Sequence, residues 1–344
     1  MKTQKNPIKK NILKKIFIKI CRLLNYEIID QSNFYIPTQK KSLIENLSLH
    51  GKKSIPIPLG ETKITRKVNA LTIIFRSCTN VNMLTQNKKR LFDEKKSEYT
   101  FRSLNSIIKS VVEARKNLGK VKFNIIVIDH NSQENDLHQI KTQLSSSDLN
   151  HSLISLNIDE FKNEIKKVNA ENKNVTQNQI SNMSNIHKSF LIAKKQCEDL
   201  IYFVEDDYLH KLNAIEEMIF TYERISSQIK NELILCPADY PYLYNKIEPT
   251  NIFFGLSQHW RITSESLCTF LTSSNILKKH WNKFTSMCQY EHYPFEQPLH
   301  DIYKSEYCLS PVPSLAVHFT NINSIYGLSP GVNWKKIWDE NKNY

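Results

Sequence analysis

The chain has 344 residues, 40% of them hydrophobic, enough for one large domain or two modest ones, and no unbroken apolar stretch approaches the length that spans a bilayer. Its 47 Lys/Arg against 34 Asp/Glu give a net charge of +13, which suits an anionic partner such as nucleic acid, acidic lipid or a phosphate-bearing substrate. The 7 cysteines, at 21, 78, 197, 236, 268, 288 and 308, are odd in number, scattered and without a Cys-x-x-Cys pair. That argues against a disulfide scaffold and a zinc site, and for the reducing cytosol.

Between Met1 and Arg22 there are 8 Lys/Arg and no acid. Ile8, Ile12, Ile16, Ile20 and Leu24 recur every fourth residue, with Leu13 and Phe17 beside them. Residues 8–24 therefore predict a helix with one apolar and one basic face. Such a helix either lies on an anionic membrane leaflet or packs on the globular part with its lysines in water. Lysines interrupt the apolar run and no small-residue cleavage site follows, so a cleaved signal peptide is not expected. Pro37, Pro56 and Pro58 make the rest of residues 1–65 an irregular connector.

The globular part, residues 66–344, opens with a strand over Leu71–Phe75 that ends at Arg76. A helix over Phe101–Leu118 follows, with Leu104, Ile107, Ile108, Val111 and Val112 at helical spacing and Gly119 as its stop. A second strand spans Phe123–Ile128, a helix Glu134–Leu144 and a third strand His151–Ile158. The polar, Asn/Gln-rich residues 168–186 read as a loop. After them come a helix over Asn185–Cys197, a strand over Leu200–Val204, a helix over Asn213–Ile229 and a short strand over Leu233–Cys236. Strands alternating with helices predict an α/β domain with a mostly parallel sheet. From Pro237 onward aromatics, Pro and His become dense and periodicity fades, the composition of a loop-built binding region.

The segment Leu200-Ile-Tyr-Phe-Val-Glu-Asp-Asp-Tyr-Leu209 runs from a buried strand straight into three carboxylates, Glu205, Asp206 and Asp207. In open α/β sheets ligands bind outside the carboxyl ends of the strands, and acids placed there can hold a divalent cation that bridges phosphates. The alternative for such a cluster is a solvated turn.

Four segments resemble the GT-A fold nucleotide-sugar glycosyltransferases, in particular bacterial family 2-like members. They are the first two strands with Asp129-His-Asn-Ser132, Val204-Glu-Asp-Asp-Tyr-Leu209, His259-Trp-Arg-Ile-Thr-Ser-Glu-Ser-Leu-Cys-Thr-Phe270, and Leu309-Ser-Pro-Val-Pro-Ser-Leu-Ala-Val-His318 with Leu328-Ser-Pro330 and Trp334 after it. The turn at His130-Asn131 departs from the usual Asp/Asn-Gly.

The resemblance implies a Rossmann-like donor half over about 66–236 and an aromatic-rich acceptor half over about 237–344. It implies transfer of a sugar from a nucleoside-diphosphate sugar, commonly UDP-linked, to a glycan or lipid-linked acceptor in surface polysaccharide synthesis. The protein would then work in the cytoplasm or peripherally on the inner membrane leaflet. The alternatives are another metal-dependent nucleotide enzyme, a nucleotidyltransferase or phosphoesterase, and a basic polyanion-binding protein. No nucleic-acid module appears, so no nucleic-acid partner is expected.

By the same resemblance, Asp207 ligates Mn2+ or Mg2+, and Glu205 and Asp206 contact ribose or metal-bound water. The alternative for Asp206 is a helix cap or turn acid. His318 completes the metal site, or is a buried histidine satisfied by backbone groups. Asp129 binds the nucleotide's base or ribose, or closes an Asx-turn with Ser132; Arg76 contacts the nucleotide. Asp301 is the candidate catalytic base, with Glu296 its rival. Trp260 and Arg261 form an acceptor shelf, although Trp260 equally suits a core.

Overall fold

The computed structural model describes residues 12–26, 63–80, 90–169, 171–245, 249–291, 294–342 and 344. The chain divides into two units, Met1–Thr65 and Arg66–Tyr344. In the first, α1 (Ile12–Leu23) carries no acid in its opening turn and Arg22 in its last. Pro37, Pro56 and Pro58 lie outside the described residues, as does the start of the helix expected at residue 8.

The second unit is built on nine strands: β1 (Ala70–Ser77), β2 (Lys122–Asp129), β3 (Asn150–Ser155), β4 (Leu200–Glu205), β6 (Ile234–Leu235), β7 (Ile252–Phe254), β8 (His259–Ile262), β9 (Phe270–Ser273) and β10 (Cys308–Val312). They form one sheet in the order β3-β2-β1-β4-β9-β6-β10-β8-β7. The pairings leave β8 and β9 reversed and the other seven strands running one way. In β1 every residue after Ala70 is buried, so both faces of the sheet are covered there, as a parallel sheet requires. Ile73, Ile74 and Phe75 are fully buried, each a contribution of roughly 1.5–3 kcal/mol.

The helices fall into two groups. α2 (Lys96–Asn117), α3 (Glu134–Ser145) and α5 (Ala214–Ile229) pack together, with α2 touching both others. α4 (Gln177–Gln196) packs on β1, β2, α6 (Ser274–Lys279) and α7 (Trp281–Gln289), and α7 in turn on α8 (Gln297–Tyr303). A separate two-stranded ribbon pairs β5 (Tyr208–His210) with β11 (Ala316–His318). The ribbon and α9 (Trp334–Glu340) share a second apolar cluster of Tyr99, Leu209, Val317, Phe319, Ile337 and Trp338.

Two expectations are corrected. Residues 168–186 are not all loop: α4 begins at Gln177, because Thr176 and Gln179 form a reciprocal capping box that outweighs the polar composition. The region after Pro237 is not loop-built, since β7–β10 extend the central sheet. Its strands are three to five residues long, so no run is long enough to show a period.

Glu217 on α5 has no exposed surface and fixes the turn before β8. It accepts from the Leu256 and Ser257 backbone N–H groups at 2.9 and 2.8 Å, from Ser257 Oγ at 2.6 Å and from Trp260 Nε1 at 3.3 Å. A Cβ on Gly255 would stand 2.4 Å from Thr221 Oγ1, 2.4 Å from Trp260 Nε1 and 2.6 Å from Glu217 Oε1. Gly255→Ala should therefore cost about 1–3 kcal/mol by overpacking, read as a lower denaturant midpoint at unchanged slope.

Candidate active site

Register brings the chemistry to one edge. β1 pairs in parallel with β2 and β4, aligning Ser77 with Asp129 and Arg76 with Glu205. Glu205, Asp206, Asp207, Asp129 and Arg76 therefore all sit at the carboxyl ends of adjacent parallel strands. The chain then turns into β5, where Tyr208 lies opposite His318 of β11 and the Phe319 N–H donates to the Asp207 carbonyl at 2.8 Å.

This pairing sets Asp207 Oδ2 3.3 Å from His318 Nε2. The His318 ring stacks on Tyr208, with centroids 4.6 Å apart and planes at 2°. Its Nδ1 lies 2.8 Å from the Tyr326 carbonyl, which can only accept, so Nδ1 carries the hydrogen and Nε2 is left to face Asp207. Burial acts to raise the Asp207 pKa, but His318, Lys96 and Arg90 outweigh it and hold the carboxyl below its usual range. Burial acts to lower that of His318, but Asp207 and Glu205 raise it on balance.

Asp207 and His318 are the two donors here that could hold a divalent cation. Two ligands at right angles, about 2.2 Å from one ion, stand about 3.1 Å apart, close to the Asp207–His318 separation. The Nδ1–H···O=C bond is the outer-shell contact that orients a ligating imidazole. Among the described residues no set of three or more His, Cys, Asp or Glu converges, so water and substrate oxygens would complete the coordination.

Other expected residues take different positions. Asp206 is not open to a ribose: it accepts from the Cys78 N–H at 3.2 Å, from Thr100 Oγ1 at 2.8 Å and from Lys96 Nζ. It ties the first turn of α2 to the strand edge. Asp129 is 3% exposed and is consumed by Ser77 Oγ and Ser132 Oγ, each at 2.6 Å, and the Ser132 N–H at 3.2 Å. This is the Asx-turn, in which burial raises the carboxyl's pKa. Arg76 is buried beneath the edge, with Nη1 on Asn182 Oδ1 at 2.9 Å and Nη2 2.9 Å from Glu205 Oε1. It orients Glu205, whose carboxylate also accepts from Thr269 Oγ1 at 3.3 Å, and is not itself presented to a ligand. Burial raises the pKa of Glu205, opposed by Arg76.

The two candidate bases separate clearly. Asp301 on α8 is 37% exposed and held by Lys304 Nζ at 2.6 Å and Gln297 Nε2 at 3.1 Å. The groups lowering its carboxyl's pKa, with the Lys304 hydrogen bond first, are Lys304, Gln297 and Lys283, from the end and start of α8 and from α7. Glu296, at the start of α8, is instead within electrostatic reach of Glu205, His318 and Arg76. Burial, and then the charge of Glu205, push its pKa up to about 7. Glu296 is thus coupled electrostatically to the acidic edge, whereas the groups acting on Asp301 are its own neighbours.

Trp260 and Arg261 form no shelf. Trp260 is wholly buried, because its indole N–H bonds to Glu217 from inside the core. Arg261 pairs with the buried Asp239 and lies 4.7 Å from the Tyr244 ring centroid, while Tyr244 Oη also donates to Asp239. Sequence reasoning missed Lys96, Thr100, Tyr208 and Tyr326. Only Tyr208, adjoining the acids, had a local signal.

No family model matches the sequence, and no curated protein does. Among solved structures the chain is similar to TarS of S. aureus, at 14% identity and TM-score 0.34, covering 64% of this chain and 33% of TarS. It is similar to the glycosyltransferase GlyE of Streptococcus pneumoniae, at 8% identity and TM-score 0.40, covering 81% and 61%. It is also similar to a UDP-glucose pyrophosphorylase complexed with UDP-glucose, at 7% identity and TM-score 0.38, covering 79% and 97%. The chain spans about a third of the length of TarS.

A carboxyl whose folded pKa lies above its unfolded value binds its proton more tightly in the folded state, so stability falls as pH rises between the two. For Glu296 that window runs from 4.5 to about 7. Glu296→Gln should raise the melting temperature at pH 8 and change it little at pH 4. An equal gain at both would refute the raised pKa.

Proposed function

We propose that this chain is a GT-A type glycosyltransferase that moves a sugar from a nucleoside-diphosphate sugar to the hydroxyl of a glycan or lipid-linked acceptor. The observation that carries the reading is the Asp207–His318 pair at the carboxyl ends of adjacent parallel strands, with Glu296 within electrostatic reach of His318 and Glu205. Asp207 and His318 would hold Mn2+ or Mg2+, which, when bound, supplies Lewis-acid neutralisation of the departing diphosphate.

The chain's own residues supply the rest. Lys96 and Arg90 place positive charge about Asp207, so an anionic diphosphate meets an edge that is not uniformly negative. Arg76 and Thr269 fix Glu205 beside the site. Glu296 accepts the proton of the acceptor hydroxyl, and a base poised near neutral pH combines a sizeable ionised fraction with useful basicity. Uridine as the donor base rests on the likeness of Val204-Glu-Asp-Asp-Tyr-Leu209 to the Glu-Asp-Asp metal motif, and a role in surface polysaccharide synthesis on the same likeness.

Incubation with a panel of nucleotide sugars and Mn2+ should release nucleoside diphosphate. Asp207→Ala should slow this by at least about a hundredfold. Glu296→Gln should lower kcat about 10²–10⁴-fold while nucleoside diphosphate with Mn2+ still raises the melting temperature. Asp301→Asn should leave the rate within about twofold of the parent, the chemistry lying elsewhere. Release of pyrophosphate or nucleoside monophosphate would instead make the protein a nucleotidyltransferase or phosphoesterase. Full activity in Asp207→Ala would overturn the site.

A further inference from the structure

We propose that α1 is a membrane-surface helix whose occupant is a bilayer bearing anionic headgroups. Ile12, Ile16, Phe17, Ile20, Leu23 and Leu24 are 49–78% exposed. At about 100° per residue they fall within an arc of roughly 140° that holds no charged residue. Lys19 and Arg22 lie outside that arc.

Such a distribution suits an interface with hydrocarbon below and phosphate around it. The helix, at 12 residues about 18 Å long, cannot cross a hydrocarbon core of about 30 Å. Among the described residues no helix is long and apolar enough to span. The helix therefore lies along the surface.

Charge selects the partner. Residues 1–65 carry 13 Lys/Arg against 4 Asp/Glu, whereas residues 66–344 carry 34 against 30. The excess positive charge is thus concentrated in the part of the sequence that carries this apolar face, where each basic residue adds roughly fivefold to attraction for an anionic leaflet. A second copy is a poor occupant, because the joined faces would bring together two stretches that each hold 8 Lys/Arg and no acid between Met1 and Arg22.

The test is co-sedimentation of the full chain with vesicles of phosphatidylcholine alone, or with about 30% phosphatidylglycerol. Binding should require the anionic lipid and weaken in about 0.5 M salt. Lys15→Glu/Lys19→Glu and, separately, Phe17→Ser/Ile20→Ser should each lower the partition coefficient at least about tenfold, with melting curves like the parent's. No binding to anionic vesicles, equal binding to both compositions, or binding untouched by either double variant would overturn the proposal. So would a concentration-dependent dimer, abolished by Phe17→Ser/Ile20→Ser, in protein that ignores vesicles.

Discussion

The site depends on one backbone pairing. β5 leaves the acidic turn directly, and its antiparallel register with β11 sets which residue of a distant segment stands beside Asp207. Because strand side chains alternate, a slip of one residue would turn His318 to the opposite side of the ribbon and break both the Asp207 contact and the stack on Tyr208. The ribbon is short and holds its register through packing: Leu209, Val317 and Phe319 enter the apolar cluster with Tyr99 and Trp338. Arg102 clamps that cluster from α2, donating to the Trp338 carbonyl at 2.9 Å and lying 4.2 Å from its ring centroid.

The electrostatics follow from the same arrangement. Three carboxylates in sequence would repel if all faced one space, but the fold sends them to three partners. Glu205 turns to Arg76, Asp206 to Lys96, and Asp207 to His318. The partner of each acid comes from a different element, β1, α2 and β11 respectively. Negative charge is thus spread over the edge, and only the Asp207–His318 pair combines adjoining donors with an oriented imidazole.

The donor half was legible because its strands are long, apolar and flanked by periodic helices. Leu71–Phe75 and Leu200–Val204 lie within the observed β1 and β4. The acceptor half was not, since β7 and β11 have only three residues each and β8 and β9 only four. In the site, the strand-end rule pointed to the edge where the acids gather but could not divide them into open and consumed ones. Whether Asp206 is free depends on Lys96 and Thr100, and whether Asp129 is free depends on Ser77, all distant in sequence. Trp260 misled because a Trp-Arg pair reads alike on a surface and in a core; the buried Glu217 acceptor decides it.

The role of Asp206 bears on how such a site would decay. Its bonds to the Cys78 N–H, Thr100 and Lys96 join the end of β1 and the start of α2 to the acidic turn, whatever chemistry happens beside it. Relaxed selection on activity would release Asp207, His318 and Glu296 to drift, while the need to fold would still retain Asp206. A descendant that had become a pure scaffold would keep the middle acid and lose its neighbours, so the order in which the triplet erodes would separate retired catalysts from working ones.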